Sequence, residues 1–206
     1  MHFVQTLPLL AGLAAALPAI QQRADPAPAA VQIAEIAYSG SGCATASLAA
    51  QAVSDPTALT VPQKIFVAES GKNNSKVIDS RSTCQILIKL NHTAGWQFAV
   101  TKADYYGRVK IPLGVDSSSR TTYSFGAGST EVAKQYYFVG PMDGFYYRND
   151  RFVGTAMTYS PCGSGASLNL TSEVRVIPTG SGSSKPASME IFNLLGGRLG
   201  ISWKKC

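Results

Sequence analysis

The chain has 206 residues, of which 45% are hydrophobic and 15% charged, and its formal net charge is +6. This composition indicates one globular domain and excludes a disordered or collagen-like chain, which would carry far more charge or glycine. The basic excess is dispersed without any run of three basic residues, so it does not indicate a nucleic-acid-binding surface. We also expect no cofactor and no metal centre, because the four cysteines include no Cys-x-x-Cys pair.

Residues 1–19 are predicted to be a signal peptide. Their apolar stretch is too short to span a bilayer, and small residues favour cleavage after Ala16 or Ala19. Residues 20–30 are rich in proline and alanine, which indicates an extended spacer or a short pro-segment, with a cut after Arg23 as a further alternative. The folded domain should therefore comprise residues 31–206.

The rest of the chain is typical of a protein released outside the cell. No later segment is apolar for eighteen residues, so we expect neither a membrane span nor a lipid-anchor tail. Three Asn-x-Ser/Thr sequons, at Asn73, Asn91 and Asn169, predict N-glycosylation on this route.

Cysteine usage supports the same compartment. Four cysteines in a secreted chain imply two disulfides, although four cysteines allow three pairings and sequence alone does not choose between them. We favour Cys43 with Cys84 and Cys162 with Cys206, because both closed loops are then of moderate length. Each bridge would stabilise the fold by about 4 kcal/mol through the unfolded state.

Apolar residues alternate with period two over many short stretches, which is typical of strands with one buried face. The clearest stretch is 168–176, where Leu168, Leu170, Val174 and Val176 share one face. About ten such strands predict an all-β fold, an antiparallel β-sandwich. The predicted strands are 31–38, 48–54, 63–68, 85–90, 96–101, 105–111, 121–125, 135–139, 152–159, 168–176 and 199–203.

Clusters of glycine, serine, asparagine and aspartate between these stretches predict turns. They lie at residues 39–42, 70–75, 116–119, 141–144, 148–151 and 180–184. The alanine-rich segment 48–52 fits a helix and a strand about equally well, and both alternatives stay open.

Five short motifs surround the cysteines and tryptophans. They are Gly40-Ser41-Gly42-Cys43, Thr83-Cys84-Gln85-Ile86, Gly95-Trp96-Gln97-Phe98, Ser160-Pro161-Cys162-Gly163 and Trp203-Lys204-Lys205-Cys206. In this order, from about Val31 to the last residue, they resemble the small secreted fungal and bacterial proteins grouped as domain-of-unknown-function family 4360. The resemblance implies a secreted, β-rich protein with paired cysteines and transfers no catalytic residue. One departure is Ala44, where the family pattern leads us to expect proline; it concerns only a local turn.

The scarcity of histidine excludes much enzymatic chemistry. Only His92 follows the leader, and we expect it at the surface. A Ser-His-Asp hydrolase would need this residue as its base, and no Gly-x-Ser-x-Gly motif presents a serine. Paired carboxylates remain as an alternative, with Asp104, Asp143 and Asp150 as candidates for an extracellular carbohydrate hydrolase. The turn-like surroundings of Asp143 and Asp150 favour a structural role instead.

Aromatic residues crowd the segment 136–159. Adjacent aromatics on a strand point to opposite faces, so some of them must lie outside the core. We therefore expect a non-enzymatic, effector-like protein that binds a cell-wall polysaccharide or an extracellular host protein. The candidate ligand-binding residues are Tyr137, Tyr146, Tyr147, Arg148 and Arg151.

Overall fold

Eleven β-strands and two short 3-10 helices make up the described part of the chain in this computed structural model, which covers residues 26–48, 51–62, 65–74, 76–126, 129–179 and 183–206. The predicted signal peptide and the first part of the spacer lie outside the described residues. The strands are β1 (Val31–Ser39), β2 (Ala46–Leu48), β3 (Gln51–Ala52), β4 (Ala58–Thr60), β5 (Phe66–Ser70), β6 (Ser80–Ile111), β7 (Val115–Ser124), β8 (Val132–Val139), β9 (Met142–Arg151), β10 (Gly163–Pro178) and β11 (Ala187–Lys205).

Strand β6 organises the fold, since its 32 residues contain three of the predicted strands. Its first half pairs with β1 and β10, and β7 and β8 follow on the far side of β10. Its second half pairs with β9 on one side and β11 on the other, and β4 and β5 continue beyond β11. All of these pairings are antiparallel. Because the two halves of β6 pair with different strands, β6 belongs to two arms of one sheet. We call them the β10 arm and the β9 arm.

The two arms pack face to face around one core. Alternate residues of each strand point inward, among them Ile88 and Leu168 from the β10 arm and Met189 and Phe98 from the β9 arm. The Tyr105 and Tyr123 hydroxyl groups, 3.0 Å apart, connect the arms across this core. The prediction of an antiparallel β-sandwich is thereby confirmed.

Both disulfides have the pairing that the loop lengths favoured. Cys43 is bonded to Cys84 with their Cα atoms 5.3 Å apart, and Cys162 is bonded to Cys206 with a Cα separation of 6.0 Å. The first bridge is buried against the core and the second is exposed at the chain end.

Four predicted elements, three turns and one strand, are wrong. Residues 141–144 and 148–151 were expected as turns, but 142–151 forms strand β9, because its backbone pairs with β6 from Ile111 to Lys102. Residues 116–119 likewise belong to β7, paired on both sides. The predicted strand 152–159 is instead an irregular segment with a 3-10 turn at Gly154–Ala156. In the segment 48–52, the described residues belong to strands and not to a helix.

A polar network lies inside the sandwich between β9 and β7. Arg148 is buried, with Nη1 donating a hydrogen bond to Ser119 Oγ at 2.7 Å and Nη2 donating to Thr121 Oγ1. Its guanidinium lies 4.0 Å from the centre of the Tyr105 ring and its Nη2 lies 3.6 Å from Asp150 Oδ2. A charged pair is therefore enclosed by aromatic rings and hydroxyl groups.

Asp150 makes the stability of this network depend on pH. Burial raises the pKa of Asp150 above its usual value, although the Arg148 charge and a 2.6 Å hydrogen bond from the Tyr123 hydroxyl oppose the shift. Between the pKa of Asp150 in the unfolded chain and its raised pKa in the folded chain, the folded state binds more protons than the unfolded state. The stability that protonation of Asp150 contributes is therefore lost as the pH rises.

We predict that the wild type gains stability over the variant Asp150→Asn as the pH falls from neutral toward about 4, the ordinary pKa of aspartate. The asparagine cannot take up this proton, whereas all other groups titrate in both proteins. Urea unfolding at a series of pH values measures the difference. A difference that stays constant or shrinks on acidification contradicts the prediction.

Candidate functional site

Strand β9 presents alternating side chains to the core and to solvent. Tyr146, Arg148 and Asp150 point inward and are buried. Phe145 and Tyr147 point outward with 61% and 54% of their surface exposed. Two of the sequence candidates, Tyr146 and Arg148, are therefore core residues and not parts of a solvent-exposed binding surface.

Gly107 explains why Tyr146 is the inward-facing tyrosine. The two residues are in register on β6 and β9, and a Cβ at Gly107 would lie 2.5 Å from the Tyr146 ring. The missing side chain leaves room for this ring, whose hydroxyl donates a hydrogen bond to the Glu190 carbonyl at 3.0 Å. Burial raises the pKa of Tyr146 to about 12, which keeps the phenol protonated as a donor.

Four aromatic side chains form a continuous patch on the solvent side of the β9 arm, and we call it the outer aromatic face. Its members are Tyr106, Phe145, Tyr147 and Phe192. Tyr106 and Phe145 are stacked with ring centres 5.5 Å apart, and Phe192 lies 5.6 Å from Tyr106 and 6.1 Å from Phe145. Tyr147 is in register with Tyr106. Three neighbouring strands thus supply one apolar surface.

One end of the outer aromatic face is a cluster of hydrogen-bonding groups. The Asn149 amide donates a hydrogen bond to Asp104 and lies 3.4 Å from the Tyr147 hydroxyl. Lys102 Nζ is 2.5 Å from the other oxygen of Asp104. The nearby Asp104 carboxylate raises the pKa of Tyr147 through a hydrogen bond. A carboxylate, an amide and a phenol therefore stand together beside the rings.

The other end carries a second charged pair. Arg108 Nη2 donates to Asp143 Oδ1 at 2.9 Å, and its guanidinium lies 5.7 Å from the centre of the Phe145 ring. Asp143 and, more weakly, Glu190 raise the pKa of Arg108, so the guanidinium stays charged. Both ends of the aromatic patch are thus polar, and the middle is apolar.

The other two sequence candidates lie in different places. Arg151 is exposed at the Asp104 end of the same arm, in register with Lys102. Tyr137, 69% exposed, belongs to β8 on the outer side of the β10 arm, away from the outer aromatic face.

Sequence reasoning missed Tyr106, Phe145 and Phe192 as members of the site. Two of them could have been found from strand alternation, which places Tyr106 on the face opposite to that of Tyr105 and Phe145 on the face opposite to that of Tyr146. The position of Phe192 follows from an irregular register between β11 and β6, which no local pattern reveals.

The three candidate aspartates do not form a facing pair. Asp104 and Asp143 share the outer side of the β9 arm. Asp143 is in register with Lys110, which is six positions, or about 20 Å, along β6 from Asp104. Asp150 points into the core and is fully buried. These carboxylates therefore do not have the geometry of a glycosidase pair.

The sequons and the histidine also have defined positions. Asn73 and Asn91 are exposed, and Asn169 is partly exposed in the middle of β10, with neighbours on both sides. Asn91 and Asn169 face outward from the β10 arm, the side of the sandwich opposite the outer aromatic face. His92 is buried, contrary to the expected surface position, with its ring 5.1 Å from that of Trp203. In the described residues we find neither a metal-ligating cluster of three acidic, histidine or cysteine side chains nor a helix able to span a membrane.

Comparison with known proteins identifies the family of the chain. The family described as Domain of unknown function (DUF4360) matches residues 29–206. The chain belongs to this family. An uncharacterised secreted protein of Arthroderma benhamiae is 31% identical over 155 residues, which cover 75% of this chain and 62% of that relative. Like that relative, this DUF4360 protein is secreted, in agreement with its two disulfides.

Solved structures match this DUF4360 chain only weakly. A carbohydrate-binding module, TmCBM61 in complex with β-1,4-galactotriose, has a TM-score of 0.25 at 9% identity, covering 72% of this chain and 88% of the module. A CBM4 structure also has a TM-score of 0.25, at 7% identity, covering 68% and 86% of the two chains. Similarities of this size do not extend to a shared ligand or site.

Proposed function

We propose that this secreted protein binds a polysaccharide through its outer aromatic face. The observation that carries the proposal is a contiguous group of four aromatic rings on the solvent side of a sheet, two of them more than half exposed. Exposed apolar patches with polar surroundings are typical of interaction sites.

The chemistry of the face suits a sugar chain. A pyranose ring has an apolar side formed by its C–H bonds, which stacks on an aromatic ring, and an edge of hydroxyl groups, which needs hydrogen-bonding partners. The aromatic rings supply the stacking surface. Asn149 and the Tyr147 hydroxyl at one end, with Arg108 and Asp143 at the other, supply donors and acceptors beside the rings. Asp104, whose side chain is only 12% exposed, accepts a hydrogen bond from the Asn149 amide.

The size of the face favours a sugar over a host protein. A stable protein complex buries about 800 Å² on each partner, and its centre is depleted of charged residues. The four rings are bounded at both ends by ion pairs, so the apolar area is only a few side chains wide.

Glycans on the β10 arm would leave the outer aromatic face accessible. We propose that the leader is removed on secretion and that the exposed residues Asn73 and Asn91 carry N-glycans, with Asn169 as a third acceptor. A glycan on Asn91 or Asn169 would project from the β10 arm, on the opposite side of the sandwich. Peptide mapping of the secreted protein tests both the cleavage point and the occupancy.

Replacing Tyr147 or Phe145 with alanine should weaken retention on polysaccharide at least about tenfold, because loss of a central aromatic contact costs more than about 1.4 kcal/mol. Retention of the secreted protein on insoluble chitin, β-glucan and pectin measures the effect. Both side chains are exposed, so we expect both variants to fold like the wild type.

The matched control is Tyr137→Ala, which removes an equally exposed tyrosine from the other arm and should leave retention unchanged. Absence of any retention by the wild type would overturn the proposal. Equal losses in all three variants would also do so, because binding would then not involve this face. If Tyr147→Ala instead converts a dimer to a monomer in size-exclusion chromatography and leaves retention unchanged, the face is a self-association surface.

A further inference from the structure

We propose that the polysaccharide bound by the outer aromatic face is uncharged. This inference rests on the proposed function and adds the chemical class of the ligand. It follows from how the charges at the two ends of the face are arranged.

Carboxylates stand at both ends of the aromatic patch. Asp104 lies beside Tyr147 at one end, and Asp143 lies beside Phe145 at the other. A chain long enough to cover the rings would pass close to both. A polyanion such as polygalacturonate would bring its own carboxylates toward these two, at a cost in electrostatic free energy.

Two of the neighbouring cations are paired with these acids. Lys102 Nζ lies 2.5 Å from Asp104, and Arg108 Nη2 lies 2.9 Å from Asp143. Arg151 and Lys110 add one exposed cation at each end, and Glu190 adds to the negative potential at Arg108. Four cations thus stand beside three acids, so this side lacks the large positive excess that binding of a polyanion requires.

An uncharged sugar chain makes use of the same groups. A carboxylate accepts hydrogen bonds from hydroxyl groups, and a guanidinium or an amide donates to them. The Arg108 and Asp143 pair, with side chains 43% and 53% exposed, therefore presents a donor and an acceptor side by side. Hydrogen bonds of this kind to charged groups are stronger than those between neutral groups.

The variant Asp143→Asn separates the two ligand classes by the sign of its effect. For an uncharged polysaccharide, removal of the anionic acceptor should weaken binding by about tenfold, which corresponds to about 1.4 kcal/mol. For an acidic polysaccharide, removal of the repulsion should strengthen binding. The Asp143 side chain is 53% exposed, so this variant carries little risk of misfolding. Asp104→Asn should act in the same direction with a smaller effect, because the Asp104 side chain is only 12% exposed.

The control is Asp79→Asn, because Asp79, 46% exposed and paired with Arg175 on the β10 arm, matches the exposure of Asp143. This substitution should leave binding unchanged. Circular dichroism of all three variants verifies the fold.

The experiment compares soluble β-glucan and chitin oligosaccharides with polygalacturonate in isothermal titration calorimetry, at low and high sodium chloride. We expect binding to an uncharged probe that changes less than about twofold with salt, because charge screening affects only charged ligands. Binding to polygalacturonate alone, lost in high salt and strengthened by Asp143→Asn, overturns this inference and leaves the proposed function standing. Absence of binding to every probe overturns the proposed function and this inference with it.

Discussion

Replacement of Arg148 with methionine should lower the free energy of unfolding by about 3–5 kcal/mol, the cost of removing one partner of a buried ion pair. The Arg148 and Asp150 side chains are 1% and 0% exposed, so water cannot replace the missing guanidinium. The variant leaves the Asp150 carboxylate buried without its cation, and the Ser119 and Thr121 hydroxyl groups lose a donor.

The double variant Arg148→Met/Asp150→Asn tests whether the pair is the cause. It removes both charges together, and the amide still accepts the hydrogen bond from the Tyr123 hydroxyl. The double variant should therefore lose less stability than the sum of the two single variants, by at least about 1 kcal/mol of coupling. Urea unfolding monitored by the fluorescence of the buried residues Trp96 and Trp203 measures all three.

An exposed pair supplies the matched control. Arg175 and Asp79 have side chains that are 42% and 46% exposed, and Arg175→Met should cost less than about 1 kcal/mol. Equal losses in Arg148→Met and Arg175→Met, or additive losses in the double variant, would contradict the account of the buried network.

This network also marks a limit of inference from sequence. The alternation of inward and outward residues correctly predicted Leu168, Leu170, Val174 and Val176 as one buried face, because their apolar character identifies the inner side. In β9 the inward residues are Tyr146, Arg148 and Asp150, two of which are charged. The assumption that charged residues face solvent therefore assigns the wrong faces to a strand whose charged residues are buried as a pair.

Strand β9 itself was missed for a related reason. Its second half contains Asn149 and Asp150, which favour turns in isolation. The tertiary pairing of Tyr105 with Arg148 and of Asp104 with Asn149 overrides this local preference. Sequence therefore predicted aromatic residues at an exposed site and named Tyr147, but the neighbours Tyr106 and Phe192 depend on inter-strand register.

Loop length favoured the observed disulfide pairing, although sequence alone left the other two pairings open. Loops of 41 and 44 residues close with moderate loss of entropy, and each pair of cysteines then lies on neighbouring or adjoining elements. The burial of each bridge could not be predicted, since it depends on which strand covers it.

Removal of the Cys162–Cys206 bridge by Cys162→Ala/Cys206→Ala should lower the free energy of unfolding by about 4 kcal/mol. Trp96 on β6 is in register with Gly163 of β10 and with Lys205 of β11, so the bridge ties the two strands together where the arms meet. Its loss frees the chain end in the unfolded state and allows the last residues of β11 to separate. Thermal unfolding should shift down by about 10 °C for a chain of this size.

The second bridge distinguishes the two contributions of a disulfide. Cys43→Ala/Cys84→Ala opens a loop of similar length, but Cys84 is fully buried, so this variant also leaves a cavity and should lose more stability than the exposed pair. Equal losses would mean that chain entropy acts alone, and a smaller loss for the buried pair would contradict this ranking.

The outer aromatic face lies about 30 Å along β6 from Trp96, so the Cys162→Ala/Cys206→Ala variant should keep its retention on polysaccharide below its unfolding temperature. Loss of retention in the folded variant would show that the bridge supports the face and not only the stability of the sandwich.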